Sequence, residues 1–277
     1  MSGPILATGG RGRLATALAA RGGEQVVALP RTALDIGDAE AVAAALADLR
    51  PSAVINAAAV SSVDAADAAR AHAVNAVAPG VLAAACAAAG VPLIHLSTDY
   101  VFGAATDRPW REDDPVSPIN AYGRMKAEGE TRALAAGGRV CVARVAWLFG
   151  DGQDFIARML AVGRARGEVK VAADQIGSPT PIGVLAERLL ALAVRMAGGD
   201  ATPDILHLAG SPPVSRADWV AAGFAAAAAR GEAVPRLVRA RLADFPEDAP
   251  RPAYSALDTA RASALFGSPI DWRDGLA

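Results

Sequence analysis

Near its amino terminus the chain runs from Ile5-Leu6-Ala7-Thr8 straight into Gly9-Gly10-Arg11-Gly12-Arg13-Leu14-Ala15. A buried strand, a glycine turn spaced GxxGxxA and an alanine-rich helix follow one another with no spacer. Few folds accept that junction. Gly9 suits a tight turn, Gly12 lets the backbone approach a ligand closely, and Ala15 keeps helix and strand near each other. The helix amino terminus then offers unpaired N–H groups and positive dipole charge, which fit the phosphates of a dinucleotide. A turn that merely joins strand to helix would use the same glycines, so the context has to carry the reading.

That context is alternation. Apolar runs at 4–8, 25–29, 53–56, 92–97 and 139–145 are rich in Val, Ile and Leu and read as buried strands. Helical stretches at 12–21, 38–49, 66–89 and 119–136 lie between them. Strands alternating with helices imply right-handed crossovers and a parallel sheet covered on both faces. The expected fold class is therefore α/β, a Rossmann-type doubly wound parallel sheet with a smaller carboxyl-terminal substrate-binding lobe. Residues 1–150 are expected to form the NAD(P)-binding domain and 151–277 mainly the lobe, with some late segments returning to the sheet. In that second part, helices are expected at 154–166, 182–197 and 216–230, a strand at 205–208 and a loop at 242–252.

The bulk composition excludes several classes. Hydrophobic residues make up 53% of the chain and aromatics only 5%, so alanine supplies much of the apolar count and favours packed helices. A net charge of -2 shows no basic excess and argues against a nucleic-acid partner. The two cysteines, Cys86 and Cys141, are far apart and the three histidines show no ligand spacing, so neither a disulfide framework nor a structural zinc is expected. The start MSGPILATGG lacks the pattern of a signal peptide. The apolar run 81–96 is broken by Gly90 and Pro92 and too short to span a bilayer. No membrane partner and a cytoplasmic location are expected.

Past the second strand comes Leu29-Pro30-Arg31, then Asp35-Ile36. An acidic residue at this strand end favours NAD, whereas an arginine favours the 2′-phosphate of NADP. Arg31, with Arg11 as a second cation, tips the expectation toward NADPH over NADH, and Asp35 and Ile36 would flank the adenine. Arg31 could equally be a solvated loop charge.

The most informative stretch is Ser97-Thr98-Asp99-Tyr100 followed by Tyr122-Gly123-Arg124-Met125-Lys126. Thr98 closes a strand at its carboxyl end, where this fold places ligands. Tyr122 and Lys126 stand four apart on one helix face, and the ammonium is expected to lower the phenol's pKa. The set suits hydride transfer to a carbonyl: Tyr122 would protonate the oxygen, Thr98 polarise it, and Lys126 also bind the cofactor ribose. An amphipathic helix carrying Tyr and Lys for other reasons is the plainer alternative.

These residues resemble the dTDP-4-dehydrorhamnose reductase family, an extended branch of the short-chain dehydrogenases. The motifs run in order along nearly the whole chain: Asn56-Ala57-Ala58-Ala59 with Val63 and Asp64, Val74-Asn75-Ala76, Ser97-Thr98-Asp99-Tyr100-Val101-Phe102, and Pro109-Trp110 with Glu112 and Asp114. Pro118, Asn120, Tyr122-Gly123, Lys126 and Gly129-Glu130 follow, then Arg144 with Trp147, and Asp174-Gln175-Ile176-Gly177-Ser178-Pro179-Thr180. Arg251-Pro252 with Ser255 and Leu257 is a weaker echo. The resemblance implies NAD(P)H-dependent reduction of the 4-keto group of a dTDP-linked 6-deoxyhexose, with Thr98, Tyr122 and Lys126 as the catalytic triad. The residues expected to serve the cofactor are Gly9, Arg11, Gly12, Arg31, Asp35, Ile36, Ala57, Ala58, Ala59 and Lys126. Asp99, Trp147, Gln175 and Arg251 are implied at the sugar-nucleotide pocket. Read from the residues alone, Arg144 and Trp147 fit pocket or core, and Asn75 fits the active site or a backbone-holding role.

Relatives that dimerise through magnesium use glutamates, one in the first helix; the matching position here is Ala17, so no metal is expected. The partner is a small-molecule nucleotide sugar, and a homodimer is compatible with the chain. Where relatives finish a last helix, this sequence stops at Asp271 to Ala277. Two other readings stay open: a non-catalytic regulatory subunit, as in the branch that serves methionine adenosyltransferase, and an epimerase or dehydratase holding its cofactor permanently. A different nucleotide-linked keto sugar is a third.

Overall fold

A computed structural model describes residues 3–61, 67–245 and 249–276. Val63 and Asp64 of the motif series lie outside the described residues. The longer strands are β1 (Ile5–Thr8), β2 (Val26–Leu29), β3 (Ala53–Asn56), β4 (Leu93–Thr98), β5 (Val140–Val145), β6 (Glu168–Ala172), β7 (Ile205–His207) and β8 (Arg236–Ala240). The helices are α1 (Arg13–Gly22), α2 (Ala39–Leu49), α3 (Ala68–Ala89), α4 (Ala121–Ala135), α5 (Phe155–Arg166), α6 (Ile182–Ala197), α7 (Arg216–Ala229) and α8 (Ala260–Phe266).

Six strands form one parallel sheet in the order β7-β5-β4-β3-β1-β2. The Rossmann-type α/β class read from the sequence is the one observed. From β1 the chain steps outward to β2, then returns across β1 to β3, so the winding reverses between β1 and β3. Their carboxyl ends open a crevice there, which is where such sheets take ligands. Buried on both faces, β1, β3 and β4 have no exposed position, and that is why they read as unbroken apolar runs.

Helices α1 and α6 cover one face through Leu14, Leu18, Leu185, Leu189, Leu192 and Met196. Helices α2, α3 and α4 cover the other through Val42, Leu46, Leu82, Cys86 and Ala133. Each fully buried leucine contributes roughly 2 kcal/mol relative to exposure. Although 81–96 is split as expected, α3 itself is long and apolar enough to cross a membrane by length and composition. Alanine makes it so, and its Leu82, Ala83 and Cys86 sit in the core between sheet and neighbouring helices.

Small residues let α3 and α4 approach closely. A methyl on Gly129 would run into the Asn75 backbone carbonyl, so no side chain fits between these helices. Asn75 sits in a π-helical turn (Ala73–Val77) within α3. Its side chain accepts from Val60 N–H and donates to Val60 C=O, each at 2.9 Å. Asn75 therefore holds backbone, fixing the loop after β3.

The later residues divide in two. Helix α6 and strand β7 return to the central sheet. Helices α5 and α7 with the parallel pair β6–β8 build a separate core around Ile156, Val169, Trp219, Val220 and Phe224. The β6–β8 pair has no counterpart in the sequence reading. Its strands are interrupted by charges, Glu168 and Lys170 in one and Arg236 and Arg239 in the other, a weak signal until each finds the other. Within the expected loop 242–252, Leu242–Asp244 forms a single 3₁₀ turn.

Gly129→Ala is expected to destabilise the protein by about 2 kcal/mol or more, because backbone blocks any relaxation of the new methyl. Urea unfolding of the two proteins measures it.

Candidate active site

At the crevice, the glycine loop is fixed from both sides. Gly9 has φ +70°, and a side chain there would press on Ala57 and Ala58 at about 3.0 Å. Gly10 N–H donates to the Leu29 carbonyl at 2.9 Å, and Gly12 N–H to the Gly9 carbonyl at 2.7 Å. Helix α1 then begins at Arg13 with Gly12 as an N-cap that supplies no side-chain acceptor, and its first turn holds no acidic residue. Its first N–H groups are left for a ligand, which suits a phosphate.

Beneath the loop, buried polar groups tie the strand ends together. Thr8 Oγ1 donates to Asn56 Oδ1 at 2.7 Å, and Asn56 Nδ2 lies 3.0 Å from His95 Nδ1. The Ala58 N–H donates to Asn56 Oδ1 at 3.2 Å. Burial holds His95 neutral, well below the usual histidine range, with the nearby Lys126 charge acting the same way.

A cavity of about 570 Å³ joins this loop to the expected triad. Arg11, Gly12, Arg13, Ala57 and Ala59 line one end; Thr98, Asp99, Tyr122, Lys126 and Trp147 line the other. Of the expected cofactor residues, Gly9 and Ala58 stand behind this wall. Arg31 and Asp35 line a separate cleft of about 660 Å³ together with Arg70. The Arg31 guanidinium is 3.2 Å from Asp35, and the Asp35 carboxylate also takes the Gly37 N–H at 3.0 Å. Ile36 does not face this cleft: its side chain packs in the core with Leu34 and Val42.

Tyr122 and Lys126 share a face of α4, as their spacing requires. Asn120 caps the helix, its Oδ1 accepting the Gly123 N–H at 2.8 Å. A side chain at Gly123 would strike the Tyr100 carbonyl, so the helix end abuts the strand end directly. Lys126 Nζ donates to the Leu96 carbonyl at 2.6 Å, and burial lowers its pKa to about 8, with Glu130 one turn on opposing that shift. The expectation that Lys126 depresses Tyr122 is not met. Burial raises the Tyr122 phenol above the usual tyrosine range and the Asp99 charge adds to it, while a hydrogen bond with Thr98 works against both. A phenol held protonated is poised to donate.

Ser97 turns away from the triad. Its hydroxyl donates to Glu130, which Arg144 grips with Nε at 3.0 Å and Nη2 at 2.7 Å. Arg144 is therefore a buried structural partner, stacked 5.0 Å over Phe102. Trp147, by contrast, lines the cavity, with φ +41° and its indole N–H unpartnered among the described residues. Its ring lies so close to Gly177 that any side chain there would collide.

Behind Trp147 lies a second cavity of about 240 Å³. Gln175 and Arg251 line it with Phe155, Arg158, Lys170 and Arg216. Arg216 joins the two cavities: its guanidinium stacks 3.9 Å from the Trp147 ring centroid and 4.7 Å from that of Phe155. Gln175 fixes it, its Oε1 accepting Arg216 Nε at 2.6 Å while Nε2 donates to the Pro252 carbonyl at 3.3 Å. Sequence reasoning missed Arg216, Arg158 and Lys170, because single cations spread over two helices and a strand carry no local pattern. Arg13 was likewise missed. It binds Asp151 and, at 3.1 Å, the Leu148 carbonyl, tying the glycine loop to the turn beyond Trp147.

Fold and site together define a nicotinamide-dependent oxidoreductase of the extended short-chain dehydrogenase type. Residues 3–277 match the RmlD substrate binding domain, and the chain belongs to that family. It is 42% identical over 285 residues to the dTDP-4-dehydrorhamnose reductase of Mycolicibacterium smegmatis, spanning 100% of this chain and 84% of the relative. It is 39% identical over 285 residues to the probable dTDP-4,6-dihydroxy-2-methyloxan-3-one 4-ketoreductase of Streptomyces antibioticus, spanning 98% and 92%. Among solved structures it resembles the dTDP-4-dehydrorhamnose reductase of Bacillus anthracis in complex with NADP. The TM-score is 0.87 at 26% identity, covering 100% of this chain and 98% of the other.

Glu130→Gln is expected to cost about 3 kcal/mol or more in urea unfolding, because it leaves Arg144 buried without a counter-charge. A loss below about 1 kcal/mol would mean that the pair holds little of the fold together.

Proposed function

We propose that this chain uses NADPH to reduce the 4-keto group of a dTDP-linked 6-deoxyhexose. One observation carries the reading: a single cavity joins the uncapped amino terminus of α1 to Thr98, Tyr122 and Lys126. The dinucleotide, when bound, supplies a hydride to the carbonyl carbon. Arg11, Gly12 and Arg13 hold its phosphates and Lys126 its ribose. Tyr122, kept protonated by burial, gives its proton to the carbonyl oxygen. Thr98 and Trp147 border that oxygen and the sugar ring. The second cavity, with Phe155 on its wall and Arg158, Lys170, Arg216 and Arg251 around it, suits a base and a diphosphate. The lobe formed by much of 151–277 thus supplies the nucleotide end, in a small-molecule enzyme of the cytoplasm.

The likeness to the Streptomyces antibioticus ketoreductase, nearly as high as that to the Mycolicibacterium reductase, favours one second reading: the same reaction on a different dTDP-linked keto sugar.

Consumption of NADPH with dTDP-4-keto-6-deoxy-L-mannose tests the first reading; no consumption, with NADPH binding intact, shifts it to the second. Tyr122→Phe is expected to lower kcat by about a hundredfold or more while leaving NADPH affinity within about threefold. Retained turnover would remove Tyr122 as the acid. Arg31→Ala is expected to lower the preference for NADPH over NADH by roughly tenfold, read as the ratio of kcat/KM values. An unchanged ratio would make Arg31 a surface charge paired with Asp35.

A further inference from the structure

Asp99 is buried beside the triad, and both of its carboxylate oxygens are engaged by the protein. Oδ1 accepts the Thr98 hydroxyl at 3.0 Å and Oδ2 accepts the Ser255 hydroxyl at 2.6 Å. Thr98 Oγ1 in turn accepts the Tyr100 N–H at 3.3 Å. A hydroxyl has one proton and two lone pairs. Once that proton is committed to Asp99, Thr98 has nothing left to donate to a carbonyl oxygen.

We propose that Asp99 is a positioning residue that sets the direction of the Thr98 hydroxyl. Ionised, it takes the Thr98 proton; protonated, it releases that proton toward the substrate oxygen. The only bond made is the carboxyl O–H of Asp99, whose proton comes from a solvent hydronium that leaves as water; the Thr98 O–H stays intact and only its acceptor changes. The inference rests on the reductase reading for the identity of the oxygen, and it goes beyond the placing of Asp99 at the sugar.

The surroundings of Asp99 place both states within reach near neutral pH. Burial pushes its pKa up to about 6, against the hydrogen bonds from Ser255 and Thr98 and the Arg216 charge on α7. The other groups facing it are Tyr122 on α4 and Tyr100 beside it in the chain, with Arg251 bonded to Tyr100. Ser255 and Arg216 come from the later part of the chain, so the direction of the Thr98 hydroxyl depends on how that part sits against β4.

Two measurements on the full chain test the proposal. The first is a carboxyl ¹³C NMR titration without substrate. The Asp99 midpoint is expected at about 6 and should move upward in Thr98→Val, which removes a hydrogen bond to the ionised form. A midpoint in the ordinary carboxylate range, unmoved by Thr98→Val, would overturn the proposal.

The second is the pH profile of NADPH-dependent turnover. Wild-type kcat is expected to rise roughly 25-fold from about pH 7.5 to about pH 5.5, as the protonated fraction of Asp99 grows. Asp99→Asn should be flat across that range, and in a Thr98→Val background it should change kcat no further. A wild-type acid limb retained in Asp99→Asn, or full multiplication of the two effects, would overturn it. If Asp99→Asn does not fold, Ser255→Ala serves: its acid limb should shift to higher pH, and an unshifted limb counts against the proposal. A wild-type chain that turns over no keto sugar, yet titrates as expected, would sink the reductase reading and leave the Asp99–Thr98 assignment standing.

Discussion

The buried Arg144–Glu130 pair is the interaction on which the arrangement of the triad depends. Arg144 projects from β5, Glu130 from α4, and Ser97 on β4 completes the cluster, so three elements are locked by one bidentate contact. Lys126 lies one turn before Glu130 and Tyr122 one turn before Lys126. Anchoring Glu130 therefore sets the height of α4 along the strand ends. Two buried charges gain little net stability over apolar residues of similar size, but removing one of them is costly. Here that asymmetry serves geometry: α4 has one low-energy position on the sheet, and the phenol and the ammonium are carried to the crevice with it.

A second constraint works between the central sheet and the later residues. The segment 174–180 crosses that boundary, and nearly every residue in it has a partner. Asp174 accepts the Leu242 N–H at 2.6 Å, Gln175 holds Arg216, and Gly177 gives room to Trp147. Ser178 Oγ accepts the Leu257 N–H at 3.2 Å, and Thr180 Oγ1 accepts the Gly210 N–H at 3.1 Å. These contacts bring the cation-lined cavity against the triad. The stack of Arg216 on Trp147 lets each side of the boundary sense the other.

Much of this was legible before any coordinate. The strands of the first half showed themselves because burial on both faces demands unbroken apolar runs. The helices showed themselves through alanine, and the glycine loop through the turn that only glycine makes cheaply at Gly9. Tyr122 and Lys126 could be placed on one face because helical spacing is rigid. What stayed hidden had no local signature. Arg216, Arg158 and Lys170 look like surface cations until folding gathers them, and β6 and β8 look irregular until they pair. Ile36 reads as a ligand contact from its neighbours in the chain, yet its side chain faces the core.

The sequence by itself determined the α/β class and the placing of Tyr122 and Lys126 on one helix face, because each follows from periodicity or from spacing within one element. The tertiary structure alone decided protonation and partnership. Burial, rather than the neighbouring lysine, governs Tyr122; the Ser97 hydroxyl is held by Glu130; Asp99 accepts from Thr98 and Ser255. Those outcomes depend on which distant groups exclude water from a side chain and which reach it, and a sequence does not carry such distances.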